Sequence, residues 1–168
     1  LRTRRKQSEV PSPDAPWNEI VPGLWMGGHE YRGRDGQRRF AVVQGEFDLV
    51  QTLLRLPGHG PDEGVPHQVW PIPDGPLDGT QLAGVMRLAQ AAGEALDEGR
   101  KVLVRCWHGY NRSGLVVAHT LMRRGDPAER AIRLIRSRRS PWALHNELFV
   151  EYLKAGLPTA RLLEELAE

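Results

Sequence analysis

The sequence predicts an α/β domain: a small, mostly parallel central sheet flanked by helices. Three observations carry that expectation. Strand-like segments crowd the first half of the chain, a helix–strand–helix unit follows, and amphipathic helices complete it. The strand of the middle unit, KVLVRC (101–106), is almost wholly apolar, as suits a central strand covered on both faces. The length of 168 residues is enough for one core that buries roughly 70% of the unfolded surface.

Taken in order, residues 1–16 are polar and basic with three prolines, and read as a tail lacking fixed structure. Residues 17–168 then form the single folded domain. VPGLWMGG (21–28) reads as a turn leading into a short strand, YRGRDGQRR (31–39) as a Gly/Arg loop, and FDLVQTLL (47–54) as an apolar strand. LPGHGPDEGVP (56–66) is a loop, and HQVWPIP (67–73) a further strand that ends at Asp74-Gly75-Pro76. Leu82, Val85, Leu88, Ala92 and Leu96 recur at helical spacing, and Gly99 closes that helix. After the apolar strand, GLVVAHTLMRR (114–124) continues as a helix stopped by Gly125. DPAERAIRLIRSRR (126–139) opens with a capping pattern: Asp126 as cap, Pro127 first, Glu129 third. WALHNELFVEYLKAG (142–156) and TARLLEELAE (159–168) supply two more amphipathic helices.

Composition narrows the function classes. No stretch approaches the roughly 20 apolar residues of a membrane span, and LRTRRKQSEV lacks the apolar segment of a signal peptide. A lone cysteine allows no internal disulfide, which fits a cytoplasmic setting. The net charge is only +2. Its basic runs at LRTRRK, YRGRDGQRR and RLIRSRRS read as solvated surface, without the interleaved aromatics or motif of a nucleic-acid site. Histidines show no paired ligand spacing and there is no G-x-x-x-x-G-K-[ST], so neither a metal nor another cofactor is expected.

The chemistry concentrates in VLVRCWHGYNRSGLVV (102–117). The loop Cys106-Trp107-His108-Gly109-Tyr110-Asn111-Arg112 joins a buried strand to a helix starting near Ser113. Such a turn aims unpaired backbone N–H groups at one point above a helix N-terminus and forms a nest for phosphate oxygens. Gly109 permits a backbone angle that a side chain would obstruct. The same field favours the thiolate of Cys106 at the base of the nest, a nucleophile facing the phosphorus. Arg112 can grip two phosphate oxygens with its planar fork, and Ser113 can hydrogen-bond the sulfur as it departs. The competing reading is a packed, inert cysteine at a strand end.

C-x5-R-S between a strand and a helix resembles the signature of the cysteine-dependent protein phosphatases, and GYNRS (109–113) looks most like their compact dual-specificity branch. VPGLWMGG resembles that family's opening strand, WPIPD its general-acid loop, and AIRLIRSRRS…NELFVEYL its closing helices. The resemblance implies a phosphatase-type strand–phosphate loop–helix core and a phosphorylated protein or peptide as substrate. It also implies inorganic phosphate or another oxyanion as a ligand of residues 107–112. It further implies an upstream aspartate as general acid, Asp74 with Asp78 as competitor, which geometry must separate. The family usually has a histidine before the cysteine. Here Arg105 stands there, and either braces the loop in its place or leaves the site weakened, as in a phosphate-binding module without turnover. Trp107, His108 and Tyr110 flank the pocket, as substrate contacts or as packing. Arg139 matches a position that in relatives faces the pocket and takes a second anion, against the plainer reading of a solvated arginine. Asn146 matches a residue that supports the loop, against an ordinary helix surface. Phosphotyrosine, with phosphoserine or phosphothreonine beside it, is the expected substrate group. Phosphoinositides and sugar phosphates are the alternative, disfavoured because the loop carries no lysine.

Overall fold

The computed structural model describes residues 10–168. Among them, six strands come first, then a helix, a seventh strand and four more helices. The strands are β1 (Trp17–Val21), β2 (Leu24–Gly27), β3 (Glu30–Arg32), β4 (Arg38–Phe40), β5 (Leu49–Thr52), β6 (His67–Val69) and β7 (Val102–Arg105). The helices are α1 (Gly79–Asp97), α2 (Arg112–Arg123), α3 (Ala128–Arg138), α4 (Glu147–Ala155) and α5 (Leu157–Ala167). Five strands make one sheet in the order β1-β2-β7-β5-β6, antiparallel only at the β1 edge. The expected α/β class, with a small and mostly parallel sheet, is the one observed.

The apolar strand β7 lies at the centre because it is covered twice. Val102, Val104 and Cys106 turn to the face packed by α1 and α2, while Leu103 turns to a second cluster with Val43, Phe47 and Val50. Leu82, Val85 and Ala92 of α1 and Leu115, Val116 and Ala118 of α2 complete the main core. Burying one such Leu or Val side chain stabilises the fold by about 1.5–3 kcal/mol. Parallel pairing on both sides of β7 brings the carboxyl ends of β2, β5 and β7 to one edge of the sheet. Ligands of parallel α/β sheets bind along such an edge.

Several elements differ from expectation. YRGRDGQRR forms the β3–β4 hairpin instead of a plain loop, with Gly36 (φ 76°) in the turn. Helix α2 begins at Arg112, two residues early, and α3 begins at Ala128 with Pro127 as its cap. Asp126 instead pairs with Arg130 at 3.5 Å. Helix α4 starts only at Glu147, because the Asn146 side chain accepts from Leu148 N and sets the helix boundary there. The segment ahead of it is a turn in which Leu144 takes φ 56°. Of the expected tail, residues 1–9 lie outside the described residues, but residues 10–16 pack against the domain. Val10 is buried in the main core, and the carbonyls of Pro11, Pro13, Ala15 and Pro16 accept hydrogen bonds from Tyr110, Arg32, Arg139 and Gly28. Among the described residues, no helix is long and apolar enough to cross a membrane.

Candidate active site

The site is assembled where β7 ends. Cys106 follows the last strand residue and donates its N–H to Gly27 O at 3.2 Å, so the sulfur leaves the sheet at its carboxyl edge. It is nearly enclosed, with Sγ 3.3 Å from Ser113 Oγ. A concave pocket opens above, lined by Asp74, Cys106, His108, Tyr110, Asn111, Arg112 and His145.

The loop after Cys106 is held by its carbonyls. Trp107 O accepts from His29 N at 2.7 Å, and His108 O from Arg139 Nη2 at 2.8 Å. Gly109 O accepts from Arg139 Nε at 3.2 Å, and Tyr110 O from Leu144 N at 3.0 Å. In a trans peptide the N–H points opposite to the C=O. Four successive carbonyls bonded on the outside therefore turn the amides of residues 108–111 to the inner, concave side. Among the described residues, the amides from Trp107 to Ser113 find no backbone carbonyl. Buried N–H groups are costly unless paired, so this array is a site for an anion.

Close approach explains two of the glycines. Gly109 has φ 73°, and a Cβ there would lie 2.4 Å from Gly27 O. A Cβ on Gly28 would lie 2.3 Å from Trp107 O. The end of β2 is thereby pressed against the loop it supports.

Asn111 occupies the N-cap of α2 yet makes no cap bond to it. Its Nδ2 donates to Asp74 Oδ2 at 3.0 Å and faces His145 Nε2 at 3.2 Å, while its Oδ1 accepts from Asn146 N at 3.0 Å. The helix thus keeps its first-turn N–H groups and the positive end of its dipole for a ligand. Because Asn111 Nδ2 can only donate, His145 Nε2 accepts, which places the imidazole proton on Nδ1, where it donates to Trp142 O at 2.8 Å.

Asp74 lies on the pocket wall with its carboxylate fixed from both sides: Oδ2 by Asn111 and Oδ1 by Asn146 Nδ2 at 2.7 Å. Asp78, its competitor, is spoken for. It caps α1 in a full capping box with Gln81 and stands exposed, outside the residues that line the pocket. Arg112 is buried; among the described residues its Nη1 reaches only Ile72 O at 3.5 Å and its Nε has no partner. Its fork is thus available to an oxyanion. His108 sits half-buried at the rim, where burial holds its imidazole below its ordinary value, whereas the half-buried Trp107 packs near His29 and His108 and is not among the residues that line the pocket. Tyr110 is buried with its hydroxyl donating to Pro11 O at 2.8 Å, and it also lines the pocket. Burial also raises its phenol.

Two arginines do not take the roles that the resemblance implies. Arg105, 1% exposed, shares its strand face with Leu103 and points away from the pocket. It donates to Thr52 Oγ1 at 3.1 Å, His59 O at 2.9 Å and Gly60 O at 2.7 Å, and burial lowers its guanidinium to about 10. None of these bonds reaches the phosphate loop, so it does not replace a loop-bracing histidine. Arg139 is neither a solvated arginine nor a pocket-facing anion receptor. It is buried beneath the loop, with its donors spent on carbonyls and on Asn18. Asn146 supports the site and caps α4 at once. Sequence reasoning missed His145, although it is adjacent to Asn146, and missed the support from His29 and Leu144. The bonds of His29 and Leu144 run through backbone groups, which leave no trace in residue type.

The fold is that of the cysteine-dependent phosphatases in the compact form of the dual-specificity branch. Human DUSP28 superimposes with a TM-score of 0.67 at 23% identity, over 89% of this chain and 99% of that one. Tk-PTP in its active form gives a TM-score of 0.57 at 25% identity, covering 83% and 96%. PTPMT1 in complex with PI(5)P gives 0.61 at 18% identity, covering 88% and 99%. No family model matches the chain, and no curated protein matches it.

Proposed function

We propose that the chain hydrolyses phosphomonoesters through a cysteinyl-phosphate, with phosphotyrosine in proteins as the preferred group and phosphoserine or phosphothreonine beside it. The observation that carries this reading is the set of four outward carbonyls, from Trp107 to Tyr110, which leaves a ring of inward amides around one enclosed sulfur. Phosphate bound there would meet the amides, the dipole of α2 and the Arg112 fork, all preorganised against the charge of the transition state.

In the first step the Cys106 sulfur attacks phosphorus. The bond from phosphorus to the leaving oxygen breaks, and Asp74 gives that oxygen its proton. In the second step water attacks the cysteinyl-phosphate, passes a proton to Asp74 and displaces the sulfur. The Ser113 hydroxyl, 3.3 Å from that sulfur, stabilises it as it leaves. The loop 106–112 has no lysine to hold additional phosphates, which supports a protein phosphate over an inositol phosphate.

Cys106→Ser removes the nucleophile and is expected to abolish hydrolysis of p-nitrophenyl phosphate while vanadate still binds. Retained turnover would overturn the mechanism. A panel of phosphopeptides and inositol phosphates tests the substrate class, and faster turnover of the inositol set would reverse the preference.

A further inference from the structure

Resting on the phosphatase reading, we propose that Arg139 is a positioning residue for the oxyanion cradle. From the C-terminal end of α3 it holds the His108 and Gly109 carbonyls outward, and it ties that setting to the segment entering β1.

Its guanidinium makes four hydrogen bonds, two to the loop and two to the segment entering β1. Nε and Nη2 take Gly109 O and His108 O at 3.2 and 2.8 Å, while Nη1 takes Ala15 O at 2.9 Å and Asn18 Oδ1 at 2.8 Å. With those two carbonyls fixed, the amides of Gly109 and Tyr110 have one direction left to them, into the concave side of the loop. The planar fork is what spans two adjacent carbonyls; a lysine ammonium is a point donor and cannot hold both in one orientation.

The cost of the arrangement argues for its use. Arg139 is 6% exposed, and among the described residues its hydrogen bonds all go to neutral oxygens. A buried cation without a paired carboxylate is expensive, and burial lowers this guanidinium to about 10. What acts in the opposite sense is the charge of Tyr110, Cys106 and Asp14. Arg136, one turn earlier on the same helix, repeats the device on the far side. It donates to Ala143 O and Leu144 O, both at 3.1 Å, and holds Leu144 in its left-handed conformation while Leu144 N takes Tyr110 O.

The experiment compares the wild type with Arg139→Met, Arg139→Lys, Asn18→Ala and, as a control on the exposed face of α3, Arg133→Met. Vanadate affinity, kcat and KM for p-nitrophenyl phosphate, and Tm are measured well below each variant's own midpoint. The Gly109 amide resonance is followed through a vanadate titration. Arg139→Met is expected to weaken vanadate at least tenfold, to lower kcat more than it raises KM, and to lose the Gly109 shift. Arg139→Lys should fall between, and Asn18→Ala should weaken vanadate about threefold. A folded Arg139→Met protein that binds vanadate within twofold of wild type overturns the inference. Should that variant not fold, unchanged vanadate affinity in both Arg139→Lys and Asn18→Ala does the same. Failure of the wild type itself to bind vanadate would instead remove the phosphatase reading beneath it.

Discussion

Replacing Arg105 by Met separates folding from catalysis. Its guanidinium holds His59 O and Gly60 O, binding the 56–66 loop to the face of the sheet opposite the pocket, and also donates to Thr52 Oγ1. Methionine fills much of the same space but donates nothing. Thr52 Oγ1 retains its bond to His67 Nε2 at 2.7 Å, so the change strands chiefly two carbonyls. Hydrogen bonds from a charged group contribute about 1.5–3 kcal/mol each. Relief of burying an unpaired guanidinium offsets part of that, leaving a net loss of about 3 kcal/mol. A domain of this size loses about 2–4 °C in Tm per kcal/mol, so Tm should drop by about 6–12 °C.

Catalysis should barely notice. At a temperature where the variant is folded, kcat/KM on p-nitrophenyl phosphate should stay within about threefold of wild type, a change of under 1 kcal/mol in barrier. Thermal unfolding followed by circular dichroism, with kinetics on the same samples, checks both halves. An unchanged Tm would refute the role of the three bonds. A hundredfold loss of turnover in a folded variant would refute the separation, and would mean that Arg105 acts on the cradle through the sulfur's neighbouring peptide.

The remaining predictions test the acid and the buried histidines. Asp74→Asn should lower kcat by about 10²–10⁴, the usual cost of losing a general acid–base group. Asp78→Ala should instead leave kcat unchanged and lower stability by about 1 kcal/mol, the worth of a helix cap; the reverse outcome would exchange their roles. Burial pushes His29 and His119 down to about 4 from an ordinary 6.5. Between those values the unfolded chain binds more protons than the folded one, so urea-unfolding stability should fall as pH drops from about 6.5 to about 4 and level off below. His119 lies in α2 with neither ring nitrogen partnered. His119→Leu should therefore gain about 1–2 kcal/mol by removing buried orphans, and should flatten that pH dependence; a loss of stability at neutral pH would contradict it.

The chemical centre was legible because its signals are local. An apolar strand, a cysteine, a glycine and an arginine followed by an apolar helix specify a strand–loop–helix unit by adjacency alone, whereas the strand expected to run to Pro73 ends at Val69 and WPIPD continues as irregular chain to Asp74. What could not be read was where backbone acceptors are spent. Residues 10–16 look like a tail because proline and polar residues make no periodic pattern. A proline still has a carbonyl, and Pro11, Pro13 and Pro16 each give theirs to the domain. The β3–β4 hairpin escaped because three-residue strands are too short for alternation to register, and every β4 residue is exposed.

The arginines show why charge misleads in this chain. RLIRSRRS reads as solvated surface, and Arg133, Arg136 and Arg138 in it are indeed exposed. Arg136 and the buried Arg139 nonetheless lie one turn apart at the end of α3, where their donors meet the carbonyls of two irregular segments. The last helical turn suits them, since its dipole is negative. Irregular segments have carbonyls that no ladder satisfies, and an arginine carries five donors with which to collect them. A loop whose amides must remain unpaired for a ligand cannot be stabilised through those amides. It must be held by its carbonyls from outside, and where no strand or helix can reach them, a buried guanidinium is the group that can.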